Sequence, residues 1–477
     1  MNQSKTNILL VVLDTCRFDV FDEVLQTGVL QNFNELINDS IYYRNAISSS
    51  PWTTPSHVSL FTGLYPSEHN VHEGKNLKLP SMIMKQIFNF PGNLLSEIIR
   101  NNGYHTYGFV TNPNLAPGTG FERGFDYLSF VDMFDEFSEL WNNTRQKIKV
   151  KFPKSEEDII SLALNFSIND LIHFAKSNWN ILKLPSIMLT YSNLLHKAQK
   201  LGYPKEKAGR RIANIISDSS FESPFFLFIN FMEMHDPYKL NRVGFFSGEG
   251  KKMLSYLVGD NDLSYSLLSN YKELYKQELI LLDKYIGKVI TKLKKDGVYD
   301  NTTIVITADH GQNFGEDHFY GHGILLSDSL IRVPLIVKIK GSNKKNVNEK
   351  FQPHINLFKF LIQCSEGMVE PSIISDEVAY SESFGVQEDF RKMFKFNIST
   401  VDKIERYDHR SVAIYYNDIK VILSIKDNMF HIDSMVSNNE NKSIGKIEKE
   451  EINKLIKKFL GFKFVSVDQT EENKNET

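Results

Sequence analysis

The sequence predicts an α/β fold, with a mostly parallel central sheet flanked by helices and a small antiparallel sheet plus helix after it. Three apolar runs predict the large sheet: Ile8 to Leu13, Phe225 to Phe231, and Thr302 to Ala308. Each is too short to span a membrane. The first and third are rich in β-branched and aliphatic residues, as strands buried on both faces of a parallel sheet are. The smaller unit is predicted by the alternating stretches Ser411 to Tyr416, Ile419 to Ile425 and Met429 to Ile432, followed by a helical pattern from Glu448 to Leu460.

Chemistry-bearing residues stand at the ends of these runs. Asp14 directly follows the first, so it occupies the carboxyl end of a strand, the edge at which open α/β sheets bind ligands. The alternative is an aspartate that caps the next helix. The third run delivers Asp309 and His310 to the same edge. An adjacent Asp and His offer two metal-ligand types without helix geometry, and Gly311 lets the chain turn away sharply; a plain turn is the competing reading. The second run leads into Met232-Glu233-Met234-His235-Asp236-Pro237-Tyr238, and a further histidine sits in Tyr320-Gly321-His322-Gly323. Taken singly, each histidine reads as an ordinary polar loop residue. In Ser50-Pro51-Trp52-Thr53-Thr54-Pro55-Ser56-His57 the Thr-Thr-Pro-Ser reads as a helix start with Thr54 or Ser56 as cap. A helix amino terminus there also favours an anionic ester.

Together, Asp14, the segment Ser50 to His57 with its continuation Leu60-Phe61-Thr62-Gly63-Leu64-Tyr65-Pro66, and Asp309-His310-Gly311 with His322-Gly323 resemble the metal site of the sulfatase-like branch of the alkaline phosphatase superfamily. The resemblance is to its threonine-nucleophile type. It implies the alkaline phosphatase-like three-layer sandwich and a metal-dependent ester hydrolase or transferase. Sulfatases carry Cys or Ser, then x-Pro-x-Arg, with the first residue oxidised to formylglycine; the matching residues here are Thr53, Pro55 and His57. Threonine cannot become formylglycine. Unmodified Thr is the nucleophile of the nucleotide pyrophosphatases and lipid A phosphoethanolamine transferases of the superfamily, which points to phosphorus esters.

The resemblance therefore implies Thr53 as a metal-bound nucleophile, with Thr54 as the fallback, and Asp14, Thr53, Asp309 and His310 around one divalent metal. His235 and His322 would be catalytic, facing the substrate or holding a second ion with Asp236 or Glu233. Most sulfatases have lysine at the His322 position, whereas phosphoethanolamine transferases have histidine. Thr15 stands where sulfatases carry a second metal aspartate, which removes one ligand of their calcium site. Mixed oxygen and nitrogen ligands favour zinc or manganese over calcium or magnesium. Arg17 matches an arginine of the threonine-type relatives, where it would pair with a ligand carboxylate, the substrate, or Asp19. His69, His72 and Lys75 are expected in a surface loop.

The rest of the chain fits the same frame. Asn32 to Ala46, Asn102 to Asn112 and Gly120 to Asp126 resemble successive helix and strand passages of the family. Residues 1–345 are expected to form the catalytic domain and 346–467 a smaller α+β subdomain, with a disordered tail at 468–477. A helical insertion at about 130–220, amphipathic over Ile159 to Phe174 and Leu184 to Leu195, would form a lid or a homodimer surface.

With 477 residues, 41% of them hydrophobic, the chain has room for a large core. A net charge of −3 offers no electrostatic case for nucleic acid. The two cysteines, Cys16 and Cys364, exclude a disulfide framework and a cysteine metal cluster. No segment has the apolar length of a membrane helix, and the first apolar run already bears Asp14, so no signal peptide is expected and the compartment is expected to be cytoplasmic. The substrate class is a phosphate or phosphonate ester of a small molecule, glycan or lipid headgroup. A sulfate-ester hydrolase without formylglycine is the alternative, and an inactive binding module the second.

Overall fold

The computed structural model describes residues 5–72, 87, 89–131, 207–236, 238, 265–386, 407–426, 429–437 and 446–460. All of them belong to one compact unit. The chain runs β1 (Asn7–Leu13), α1 (Phe18–Gln26), α2 (Gln31–Asn38), β2 (Ile41–Ile47), α3 (Thr53–Thr62), α4 (Pro66–His69), α5 (Leu95–Asn101), β3 (His105–Val110) and β4 (Tyr127–Phe130). It continues with α6 (Gly209–Asp218), β5 (Phe225–Phe231), α7 (Tyr265–Lys295), β6 (Thr302–Thr307), β7 (Asn313–Phe314), β8 (Tyr320–Gly321), α8 (Asp328–Ile331) and β9 (Arg332–Lys338). The last elements are β10 (Asn346–Pro353), α9 (Ile355–Ser365), β11 (Val378–Ser383), β12 (Arg410–Tyr416), β13 (Ile419–Lys426), β14 (Met429–Ser437) and α10 (Lys446–Leu460).

Eight strands form the large sheet in the order β10-β2-β9-β6-β1-β5-β3-β4. The three apolar runs are its centre, β6-β1-β5, and every residue of these strands is buried. Only β9 runs against its neighbours; the other pairings are parallel. The expected mostly parallel sheet is thus present. Continuous apolar sequence and burial on both faces are the same fact, because a parallel sheet covered by helices has no wet face to reward alternation.

The register fixes where the site lies. Val110, Asn230, Val12 and Thr307 occupy one row across β3, β5, β1 and β6. Two residues further along, each chain has left its strand at the same edge, and that row contains Asn112, Asp14 and Asp309.

The small sheet is antiparallel, in the order β11-β12-β13-β14. One face packs on α10 through Val412, Ile414, Val421, Leu423, Ile452 and Ile456. The other is joined to the large sheet through Ile47, Leu330, Ile331, Phe351, Ala413 and Tyr415. Residues 346–353, expected in the smaller unit, instead supply β10, the edge strand of the large sheet, pairing with β2. Their alternation is weak and exposed, so sequence pattern alone had no grip on their partner. The proposed lid segments Ile159 to Phe174 and Leu184 to Leu195, and the tail at 468–477, lie outside the described residues. No described helix is long and apolar enough to cross a membrane.

Candidate active site

Four loops converge at the carboxyl edge. Asp14 leaves β1, Asp309 and His310 leave β6, Asn112 leaves β3, and His235 follows β5. Asp14, Asp309 and His310 are buried, and one ligand atom from each lies within 4.8 Å of the others. Among the described residues this is the one group of three or more acidic, His or Cys side chains so arranged.

The donor chemistry suits a cation. Asp309 Oδ1 accepts the backbone amides of Thr15 (3.0 Å) and His310 (2.8 Å), while its Oδ2 is buried without a hydrogen-bond partner. Asp14 Oδ2 accepts Asn112 Nδ2 at 2.6 Å, and its Oδ1 is likewise buried and unpaired. Two orphaned carboxylate oxygens in one pocket are costly unless a positive charge meets them. His310 Nδ1 bonds the Gly311 carbonyl at 2.9 Å; that bond needs the proton on Nδ1, so Nε2 keeps its lone pair for a ligand. Burial, followed by the charge of Asp309, raises the Asp14 carboxyl above its usual range, and burial raises Asp309 likewise. Burial pushes His310 down to about 4. Asp14, His310 and Asp309 are the residues that would hold a metal.

Thr53 is the first residue of α3. Its Oγ1 lies 3.2 Å from His310 Nε2, the nitrogen left free for a ligand. No side chain caps α3; its N-cap is Trp52. Ser56 turns back instead and donates to the Asp309 carbonyl at 2.7 Å, an acceptor that Ser48 Oγ also uses. His57 Nδ1 donates to the Thr53 carbonyl at 2.9 Å and stands 3.6 Å from Asp309 Oδ2. The amino end of α3 is thus tied to the loop that carries Asp309 and His310. Thr54 is buried beside Thr53, but the hydroxyl that meets His310 belongs to Thr53.

His235 and His322 line the open side, both partly exposed. Their ring centroids are 5.0 Å apart, and that of His322 is 4.6 Å from His310. His322 Nδ1 donates to Gln312 Oε1 at 2.7 Å, which leaves Nε2 to face the site; burial moves its pKa well below the usual value. His235 Nδ1 bonds the Asp236 carbonyl (2.7 Å) and carboxylate (3.0 Å). The surrounding protein disfavours charge on His235, but the Asp236 contacts and the Asp14 charge outweigh it and push its pKa up to about 9.

Of the partners open to Arg17, the structure gives Asp19 and adds Glu316. Arg17 is buried and bridges Asp19 (2.6 Å) and Glu316 (2.8 Å) rather than a ligand. Its Nη1 also donates to the Gln312 carbonyl at 2.9 Å, which fixes the loop after His310. Thr15 lies in the left-handed region at φ 60, where a β-branched residue is strained, and its carbonyl is held by the Tyr275 hydroxyl at 2.8 Å. Gly311 is needed less for a turn than for space, because a Cβ there would run into the Ser329 carbonyl.

His69 corrects the surface-loop expectation: it is buried, with Nε2 3.0 Å from Ser59 Oγ and Nδ1 accepting the Val71 amide. His72 stacks on Phe384 at 3.5 Å, and Lys75 lies outside the described residues. Sequence reasoning missed Asn112, Gln312 and Ser48. Of these, only Asn112 had a signal, an amide just past a buried strand.

A family model described as Sulfatase matches residues 6–368. An uncharacterized sulfatase of Escherichia coli K12, YidJ, is 22% identical over 393 residues, covering 76% of this chain and 68% of that protein. A multifunctional alkaline phosphatase superfamily protein of Trinickia caryophylli, PehA, is 19% identical, covering 90% and 87%. Among solved structures, the phosphonate monoester hydrolase of Silicibacter pomeroyi superposes with a TM-score of 0.60 at 16% identity, covering 96% of this chain and 94% of its own.

Proposed function

Because the chain belongs to the sulfatase family of the alkaline phosphatase superfamily, we propose that this ester hydrolase is metal-dependent, acts on phosphate or phosphonate esters, and uses Thr53 as its nucleophile. One observation carries the reading: Thr53 Oγ1 stands 3.2 Å from His310 Nε2, at the head of α3 and beside the two orphaned carboxylate oxygens. A divalent cation held by Asp14, Asp309 and His310, zinc or manganese by the donor set, would lower the pKa of the hydroxyl and offset charge on the ester.

The chain's own residues supply the rest. The amino terminus of α3 directs backbone N–H groups at an anion bound over Thr53. Thr53 Oγ1, its proton given up to solvent, attacks phosphorus, the bond to the ester oxygen breaks, and the alcohol departs with a proton from His235, which Asp236 holds by Nδ1 and which takes a proton back from the water of the next step. Water then attacks the phosphothreonine, releasing the acid and restoring the hydroxyl. Threonine at this position favours phosphorus over sulfur, since it cannot be oxidised to formylglycine.

The test is a panel of aryl phosphate monoesters, diesters, phosphonate monoesters and sulfates, assayed with wild-type protein, Thr53→Ala and Thr53→Ser. A phosphorus ester should be the best substrate. The alanine variant should lose about 10⁴-fold or more in kcat with its metal content retained, and the serine variant should keep measurable turnover. Preference for the sulfate, or wild-type turnover by Thr53→Ala, would overturn the reading.

A further inference from the structure

The loop that carries His235 is gripped from behind by a segment with no part in the site described above. Lys207 is buried, and its Nζ donates to the Glu233 carbonyl at 2.9 Å and to the His235 carbonyl. Two residues on, the Gly209 amide at the head of α6 donates to Glu233 Oε1 at 2.8 Å. A side chain at position 209 would run into the Glu233 carboxylate, so glycine allows this approach without displacing it. Between them Ala208 is left-handed, at φ 67, a conformation that costs about 1 kcal/mol for a residue with a Cβ. Strain of this kind persists where surrounding contacts over-determine it.

The two carbonyls flank Met234, inside a turn closed by the His235 amide on the Met232 carbonyl at 3.1 Å. A lysine ammonium has three donors and no acceptor, so it can gather carbonyls that point the same way, as those of a tight turn do. The charges of Glu278 and Asp236 favour the ammonium, and the Tyr238 ring lies 5.1 Å from it.

We infer that Lys207 is a positioning residue for catalysis, setting the His235 imidazole against His322 and the ester by holding the Glu233 and His235 carbonyls, with Gly209 and Glu233 as its second tether. This rests on the role given to His235 in the proposed function. Lys207 itself touches neither substrate nor ligand. Its removal should therefore leave the Asp14, Asp309 and His310 donors in place and act through His235, with metal content reporting any effect of the lost charge on Asp14.

The experiment is a double-mutant cycle of Lys207→Met and His235→Asn, assayed on the aryl ester that the wild-type protein turns over fastest, with metal content and circular dichroism recorded for each variant. Lys207→Met should bind metal as the wild type does, change KM less than about threefold and lose about 10- to 100-fold in kcat. The double variant should be no slower than His235→Asn alone, because both changes remove one function. A purely structural lysine would instead give losses that multiply, and that outcome overturns the inference, as does a Lys207→Met kcat within twofold of wild type. Lys207→Gln, which keeps a donor within the loop, runs in parallel; if Lys207→Met does not fold, the cycle is read with Gln. Full activity in His235→Asn would sink the role of His235 itself, and full activity in Thr53→Ala would sink the proposed nucleophile, so the three failures are distinguishable.

Discussion

Asp14 and Asp309 stand at the same height on adjacent parallel strands, each two residues beyond the paired Val12 and Thr307. The pairing brings two buried carboxylates together, each with one oxygen satisfied by the protein and one left open. Without a cation, burial holds both carboxyls above their ordinary range, and the charge of Asp309 raises Asp14 further.

Metal removal should therefore lower the melting temperature of the wild-type protein, while Asp14→Asn, which removes one anionic donor and with it the repulsion, should melt at nearly the same temperature with or without chelator. Asn112 orients Asp14 by its 2.6 Å hydrogen bond, so Asn112→Leu should weaken metal binding by about 10- to 100-fold. Calorimetric melts with and without chelator, and metal titration, measure both. Equal chelator sensitivity of wild type and Asp14→Asn would remove the assigned metal site.

Arg17 is the brace of the loop after His310. It grips Asp19 through two nitrogens and reaches Glu316 and the Gln312 carbonyl with a third. Arg17→Met should destabilise the fold by about 2–4 kcal/mol, below the roughly 3–5 kcal/mol of a fully buried pair because Asp19 is exposed and Glu316 partly so. Arg17→Lys should recover less than half, since a single ammonium cannot reproduce the forked contact. Urea denaturation midpoints give the comparison, and a methionine variant as stable as wild type would show that the brace is idle.

His69 sets an acid limit. Burial and then the neighbouring His72 hold its pKa down at about 3, against an ordinary value of 6.5. A lowered folded pKa means that the unfolded chain takes the proton first, so the stability His69 confers is complete above pH 6.5 and drains away as pH falls towards 3. His69→Gln, which can still donate to Ser59, should flatten the slope of stability against pH between 6 and 4 by one proton's worth, about 1.4 kcal/mol per pH unit. Parallel slopes for the two proteins would show that His69 is charged in the fold.

The sequence by itself determined the centre of the large sheet, because β1, β5 and β6 are buried on both faces and so are dominated by apolar and β-branched residues, a requirement that acts on each position separately. It determined the ends of those strands too, and hence Asp14, Asp309, His310 and His235 as loop residues at one edge. Motif register placed Thr53. Three strands of the small sheet, β12, β13 and β14, and its final helix were legible from their own periodicity, alternating in the strands.

What only tertiary structure decided is the set of contacts made between segments far apart in the chain. Asn112 reaches Asp14 because β3 and β1 both flank β5 in register, a fact of pairing and not of pattern. Ser48 and Ser56 meet on the Asp309 carbonyl, Gln312 fixes the His322 tautomer, and Arg17 chooses Glu316 over a ligand, each through geometry that no local periodicity encodes. β10 joined the large sheet by pairing its backbone with β2, and backbone hydrogen bonds carry no side-chain signature. Hydrophobic burial is recorded in sequence because it acts on each residue separately, whereas hydrogen-bonded positioning depends on where the partner is delivered.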